Sequence, residues 1–169
     1  MTIAKTIADK HPDIAAVEPE WTLPRTLMGG TAAMRAAKTS YLPQEPAESR
    51  EAYATRIARS TLFNAFGKTV SDMVGRVFAK EISFGSEVPK QIQGWAENID
   101  LTGRHLNVFA SDVFADAMVT GAAHILAETP AGAADNKATQ GRPYLVHIRQ
   151  ESVIGWTHRT GKDGLELSS

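Results

Sequence analysis

The chain has 169 residues, of which 43% are hydrophobic and 22% are charged, and these totals are typical of one globular domain with its own core. Lys and Arg total 18 against 19 Asp and Glu, so the chain lacks the basic excess of proteins that wrap nucleic acid. The absence of cysteine excludes disulfides, thiolate nucleophiles and thiolate metal sites. The first 20 residues lack the apolar run of a signal peptide, and no window approaches the ~18 apolar residues of a membrane span.

The N-terminal part of the chain predicts an arm and then a broken helix. Residues 1–20 are mixed in character, contain two prolines and predict a loose N-terminal arm with at most a short helix at 2–9. Residues 21–38 predict a helix that breaks at Gly29-Gly30, because glycine costs about 1 kcal/mol relative to alanine inside a helix. Thr31 is then available to cap the second segment.

The longest helical pattern runs from the proline-bounded turn at 41–46 to Lys80. Its apolar residues recur at steps of three to five, as one face of a helix requires. The sequence predicts one long helix or two collinear ones, with a kink at 64–67. Its basic residues form either a charged, solvated face or a contact for a second subunit or a polyanion: Arg50, Arg56, Arg59, Lys68 and Arg76.

Residues 81–84 predict a short strand or an extended linker, and residues 88–99 predict a short helix. A second helix follows at 103–120, with Thr102 as its N-cap and Gly121 at its end. This helix is apolar on a wide face, so it is predicted to be the most buried one.

The C-terminal third changes to a β pattern. Residues 122–127, 144–149 and 153–158 predict strands, a flexible loop spans 128–142, and a tight turn at 159–164 precedes a strand begun at 165–167. We therefore expect an α+β fold, with a mainly helical N-terminal two-thirds packed on a small antiparallel sheet of three or four strands at the C-terminal end. Residues 21–169 are expected to form this single domain, with the last strand cut short as in a truncated domain.

No catalytic or nucleotide-binding motif occurs in the chain. A metal-dependent hydrolase is the alternative that the titratable residues leave open, with a ligand set drawn from His105, His124, His147, Asp112 and Glu128. None of the histidines has the spacing of a metal motif, and the interpretation as ordinary histidines is favoured. Asp112 and Asp116, four residues apart on one helix face, are interpreted as its solvated side in preference to paired catalytic carboxylates. Residues 161–164 resemble a phosphate loop but are interpreted as a hairpin turn.

Several segments in a fixed order resemble a family of tailed-phage portal-like proteins, long catalogued as a domain of unknown function. The most specific are YLPQEPAES at 41–49 and VGRVFAK at 74–80. The others are GGTAAMRAA at 29–37, YATRIARS at 53–60, WAENIDLTG at 95–103, GAAHIL at 121–126, RPYL at 142–145 and ESVIGW at 151–156.

The resemblance implies a structural role. Portal proteins form a ring, commonly of twelve subunits, at one capsid vertex; DNA passes through the ring without tight sequence-specific binding, and the terminase motor and head proteins dock on it. They have no active site, so neither a cofactor nor a metal is expected. The chain corresponds to the outer, wing-like N-terminal part of such a subunit, found in the virion and in the host cytoplasm during assembly. Its candidate subunit contacts are Trp21, Arg56, Arg59 and Trp156. A partner-binding module without catalytic activity is the other alternative.

Overall fold

A computed structural model describes residues 9–129 and 141–155 in full, and the backbone of residues 157–161 and 164–168. The fold is α+β, as the sequence predicts. The helices in the described part are α1 (Pro12–Met28), α2 (Gly30–Ala37), α3 (Arg50–Arg59), α4 (Ala65–Val77), α5 (Lys90–Trp95) and α6 (Leu106–Thr120). The strands are β1 (Ala123–Glu128), β2 (Tyr144–Arg149), β3 (Thr157–Gly161) and β4 (Gly164–Ser168), and short 3-10 helices occupy Lys38–Ser40, Ala96–Asn98 and Gln150–Ser152. No helix in the described ranges is long and apolar enough to cross a membrane.

The N-terminal helix begins earlier than the sequence predicts. α1 starts at Pro12, so the loose arm expected over residues 1–20 is wrong for 12–20, while the helix expected at 2–9 lies mostly outside the described residues. Ile14 is fully buried, and the backbone N–H of His11 donates to the carbonyl of Ile154, 2.6 Å away. Tertiary burial therefore fixes this segment, and a local reading of its mixed composition could not detect that.

The break at the two glycines is confirmed. α1 ends at Met28 and α2 begins at Gly30, which adopts φ +66. A Cβ on Gly29 would lie 2.5 Å from the Cβ of Ala33, so any side chain there requires the backbone to move. Glycine is therefore required at position 29 because the backbone lies close to the Ala33 side chain, and at position 30 because the backbone there is left-handed.

The stretch expected as one long helix or two collinear ones is two helices, and they separate before the predicted kink. Ser60 is extended, with φ −62 and ψ 140, and ends α3. Asn64 begins α4, because its Oδ1 accepts a hydrogen bond from the Gly67 N–H at 2.8 Å. Along the predicted apolar stripe only Val70 is buried, and Val77 is 56% exposed.

The core lies where α1, α4 and α6 pack on one another. Its buried apolar side chains are Ile14, Trp21, Val70, Ala96, Phe109 and Val119. α6 has three buried residues, more than any other described element, as predicted. It begins later than predicted, because His105 and not Thr102 is its N-cap, and Gly121 ends it with φ +87.

The remaining helical and extended predictions are confirmed in part. Residues 88–99 form α5 and the adjoining 3-10 helix Ala96–Asn98. Residues 81–84 form an extended linker and not a strand. The linker is bonded to α6 at one point, where the N–H of Ile82 donates to Asn107 Oδ1 at 3.2 Å.

The strands form two separate antiparallel pairs, so the single sheet of three or four strands is wrong. β1 pairs with β2 from Ala123↔Arg149 to Glu128↔Tyr144, close to the predicted runs. β3 pairs with β4, and residues 153–155 are not a strand. Gln150, 5% exposed and bonded to His124, lies in a 3-10 helix that takes the chain away from β2 before β3 begins. Most of the loop expected at 128–142, and residues 162 and 163 of the expected turn, lie outside the described residues.

Candidate functional site

A network of charged side chains joins α1, α6 and the end of β2. Arg25 of α1 donates from Nε and Nη2 to the two carboxylate oxygens of Glu151, with Nη2 and Oε2 2.9 Å apart. Its Nη1 donates to Oδ1 of Asp116 on α6. These bonds raise the pKa of Arg25, Glu151 contributing most, although burial opposes the rise. The hydrogen bonds from Arg25 lower the pKa of Glu151 in turn.

Asp116 is the buried member of this network. Its side chain is 6% exposed, and His147 Nε2 lies 3.1 Å from its second oxygen, Oδ2. Both oxygens therefore have partners, as a buried carboxylate requires. The network connects residues that are 91 and 126 positions apart in the sequence, so it fixes how the helical layer meets the sheet.

A second polar junction holds the loop before α6. Asp100, with a side chain 4% exposed, accepts hydrogen bonds from the Thr102 N–H at 2.9 Å and from Arg104 Nε. Burial works against its ionisation, but the hydrogen bonds from Thr102 and Arg104 outweigh burial and hold its pKa well below the usual range. Nη1 of Arg104 also reaches Asp112 Oδ2 at 3.3 Å.

A groove of about 370 Å³ lies between the two junctions. Nine residues line it: Arg25, Met28, Arg104, Asp112, Ala115, Asp116, Val119, His147 and Arg149. Asp116 and Asp112 do not act as a pair, because each is bonded to a different arginine. Among residues 9–129 and 141–155, no hydroxyl group is hydrogen-bonded to His147.

The residues proposed as metal ligands are separated in the structure. His124 pairs in register with Ile148 and His147 with Ile125, so the two histidines project from opposite faces of the ribbon. His105 caps α6, and Glu128 accepts a hydrogen bond from the Tyr144 hydroxyl at 2.7 Å. Within the described ranges, no group of three or more His, Asp or Glu side chains is placed to hold a metal ion.

The segment from residue 30 to residue 60 comprises α2, the 3-10 helix Lys38–Ser40, the proline-rich turn and α3. It is called the arm from here on, and it is distinct from the loose N-terminal arm expected over residues 1–20. Arg56 organises it. The guanidinium donates to both carboxylate oxygens of Glu48, at 2.8 and 2.7 Å, and to the carbonyl of Pro43 at 2.7 Å. It also lies over the ring of Tyr53, whose hydroxyl donates to the carbonyl of Leu42 at 2.9 Å. These bonds raise the pKa of Arg56, Glu48 contributing most.

The arm connects to the rest of the molecule at its base. The Leu62 N–H, just beyond the arm, donates to Thr31 Oγ1 at 3.1 Å, and within the arm Arg35 Nε joins its two ends by donating to the Ser60 carbonyl at 2.9 Å. Beside this base, Asn64 Nδ2 at the start of α4 donates to the Leu27 carbonyl of α1 at 2.7 Å. No residue of α2 or α3 is buried. The arm is therefore ordered by its own polar contacts and leaves most of its surface open.

The four predicted subunit contacts have different positions. Trp21 is 7% exposed and belongs to the core, so it does not present a contact surface. Arg56 is turned into the arm, while Arg59 is exposed on the same helix. Trp156 lies outside the described residues.

Sequence reasoning missed the Arg25 network and the role of Arg56. Arg25 and Glu151 are 126 positions apart, and no local pattern relates them. For Arg56 a local signal existed, because Glu48 is eight residues away and ends a proline-rich turn that brings the chain back on itself.

No protein-family model matches this chain, and no curated protein matches it.

Proposed function

We propose that this chain is a structural component of a phage or prophage head, namely the wing-like N-terminal portion of a portal protein whose complete form assembles into a ring. In this role it has no catalytic activity. Its partners are further copies of itself and, at the assembled vertex, the terminase and head proteins. DNA passes through the ring without tight binding to this part.

The observation that carries the proposal is what the resembling residues do in the arm. Glu48 and Pro43 belong to YLPQEPAES, and Tyr53 and Arg56 belong to the segment that begins at Tyr53. Their side chains and carbonyls bond to one another, and the groove of about 660 Å³ that Arg56 and Arg59 line on α3 is open to solvent. Motif residues that bond to one another fix the conformation of the arm. An assembly subunit requires a fixed conformation of such residues, whereas an active site requires polar groups left available to a substrate.

The distribution of apolar surface supports the same role. In the described part, six apolar residues are buried while fourteen large apolar side chains are exposed. Phe63, in the segment between the arm and α4, is 87% exposed. Its neighbours Leu62 and Asn64 are both held by hydrogen bonds, so the aromatic ring stands on an ordered backbone. Exposed aromatic side chains on ordered segments are typical anchors of protein–protein contacts.

Phe63 also favours the partner-binding alternative over a metal-dependent hydrolase. A docking module and a portal wing both need such a side chain, and they differ in the partner. A ring subunit contacts copies of itself, whereas a docking module contacts a different protein.

The test is the assembly state of the complete gene product, measured by native mass spectrometry and negative-stain microscopy. We expect closed rings. Phe63→Ser and Arg59→Glu should reduce the fraction of rings at least about tenfold, because they change exposed groups at the base of the arm and on α3. The matched control is Asp72→Lys, whose side chain is 55% exposed on α4 and bonded only to Lys68 of the same helix. A complete product that stays monomeric under packaging-competent conditions contradicts the proposal.

A further inference from the structure

The chain enters the arm after α1 and leaves it before α4, and these two crossings lie side by side. Hydrogen bonds join them at three levels: Leu27 O with Asn64 Nδ2, Thr31 Oγ1 with the Leu62 N–H, and Ser60 O with Arg35 Nε, at 2.7, 3.1 and 2.9 Å. The residue number rises along one crossing as it falls along the other. The segment from residue 60 to residue 64 therefore runs antiparallel to the end of α1 and the start of α2.

The spacing of these bonds shows that residues 60–64 form one continuous extended segment against the helices. Thr31 and Arg35 are one helical turn apart on α2, a rise of about 6 Å. Their partners Leu62 and Ser60 are two residues apart, and two extended residues span about 6.6 Å. Burial alternates in the same way, because residues 60, 62 and 64 are half-buried while residues 61 and 63 are exposed. Every second residue thus faces the helices.

The bonds lie on both sides of the break between α1 and α2. Leu27 precedes Gly29-Gly30, whereas Thr31 and Arg35 follow the two glycines. Gly30 adopts φ +66 and has open space around it, and glycine has the widest backbone freedom of any residue. Because no residue of α2 is buried, burial does not fix the angle at which α2 leaves α1. The extended segment is what connects the two sides of the break a second time.

We propose that residues 60–64 act as a splint across Gly29-Gly30, which sets the angle of the arm, and that release of the bonds at Thr31 and Arg35 lets the arm turn about the two glycines. Hydrogen bonds at a partly exposed site are readily released, because water replaces the lost partner. Residues that end a helix and can change φ and ψ are the usual pivots of such motions. This joint goes beyond the proposed portal role and does not depend on it.

The Asn64 bond stays in place when the splint is released. Asn64 also caps α4 through Oδ1, so it belongs to the part of the molecule that keeps its fold. Phe63 projects from the splint between Leu62 and Asn64 and is 87% exposed. Any contact that another protein makes through this ring is therefore made at the joint.

The first test is amide hydrogen exchange of the full chain, followed by NMR. The Leu62 N–H is bonded to Thr31, whereas the N–H groups of Thr61 and Phe63 are bonded to no described residue. We expect the Leu62 amide to exchange at least about tenfold more slowly than the other two, and Thr31→Val to remove the difference. Thr26→Val is the matched control, since the Thr26 hydroxyl donates to the Thr22 carbonyl of its own helix. A Leu62 amide that is unprotected in the native chain, or still protected in Thr31→Val, overturns the splint.

The second test measures the turning of the arm itself. The chain has no cysteine, so spin labels at Ala54→Cys on α3 and Ser71→Cys on α4, both exposed, report one distance. We expect one main distance in the otherwise native chain. In a chain with Thr31→Val and Arg35→Met, the fraction of molecules at other distances should rise at least about fivefold, because both bonds on the arm side are lost.

Thr26→Val is again the control, and it should leave the distance distribution unchanged. A distribution in the double variant that is identical to the native one would show that the glycine break is rigid by itself, and it would overturn the proposal. Equal broadening by Thr26→Val would do the same.

Discussion

Asp116 is the residue on which the junction between the helices and the sheet depends. It is buried on α6, and its two oxygens are bonded to Arg25 of α1 and His147 of β2. Removing one member of a buried, hydrogen-bonded ion pair leaves the other charge without compensation, and this is far more costly than the loss of an exposed pair. Asp112, four residues earlier, is bonded to Arg104 at the surface.

We expect Asp116→Asn to lower the free energy of unfolding by about 1 to 3 kcal/mol, because a neutral amide weakens the buried hydrogen bonds to Arg25 and His147 while Arg25 keeps Glu151. Asp112→Asn is the matched control on the same helix, since its side chain is 50% exposed, and it should change the free energy by less than about 1 kcal/mol. Urea unfolding followed by circular dichroism measures both. Equal effects of the two substitutions would show that the bonds of Asp116 contribute no more to the free energy of unfolding than those of Asp112.

At the scale of elements, the ends of the helices follow local rules. Gly121 ends α6 in the left-handed region at φ +87, where a side chain is strained. Gly75 lies inside α4, and a Cβ there would meet nothing within 4 Å. One glycine is therefore required by its conformation, and the other only weakens the helix that contains it.

Alanine substitutions at these two glycines should have opposite signs. Gly121→Ala should lower the free energy of unfolding by about 1 kcal/mol, because alanine is strained at positive φ. Gly75→Ala should raise it by about 0.5 to 1 kcal/mol, since alanine loses less chain entropy on entering a helix. Thermal unfolding gives both values. Stabilisation by Gly121→Ala would mean that α6 ends in a different conformation.

At the scale of the whole molecule, the chain consists of a body and an arm that are held together differently. The body has the buried side chains of α1, α4 and α6, whereas no residue of α2 or α3 is buried. The arm depends on the contacts of Arg56 and on two hydrogen bonds at its base, Arg35 to Ser60 and Leu62 to Thr31. Segments with few buried contacts open locally at a lower free energy than the core does.

Arg56→Lys should therefore loosen the arm without unfolding the body. Lysine keeps the charge but cannot make the two parallel bonds to Glu48 or lie flat over Tyr53. We expect amides of residues 41–59 to exchange with solvent at least about tenfold faster, and those of α6 to exchange unchanged. Hydrogen–deuterium exchange with mass spectrometry measures this. Arg59→Lys, one turn later and exposed, is the control; if the two variants behave alike, Arg56 does not organise the arm.

The features that could be predicted are those set by neighbouring residues. Gly121 as a helix end, the break at Gly29-Gly30 and the strand runs of β1 and β2 all follow from backbone freedom or from a period of two. The start of α1 was missed because it depends on Ile14 being buried by distant parts of the chain. Trp21 was expected as a contact and lies in the core, because the side of the helix that faces inward is decided by packing partners and not by its own composition.

The sequence by itself determined the α+β class, the order of helices and strands, and the residues of the motifs, because these depend on local conformational preference and periodicity. Only the tertiary structure decided that Arg25, Asp116, His147 and Glu151 meet. It also decided that the Arg56 guanidinium bonds inside the arm while Arg59 stays exposed. Contacts between residues far apart in the chain depend on how helices and strands pack, and no local pattern in the sequence encodes that arrangement.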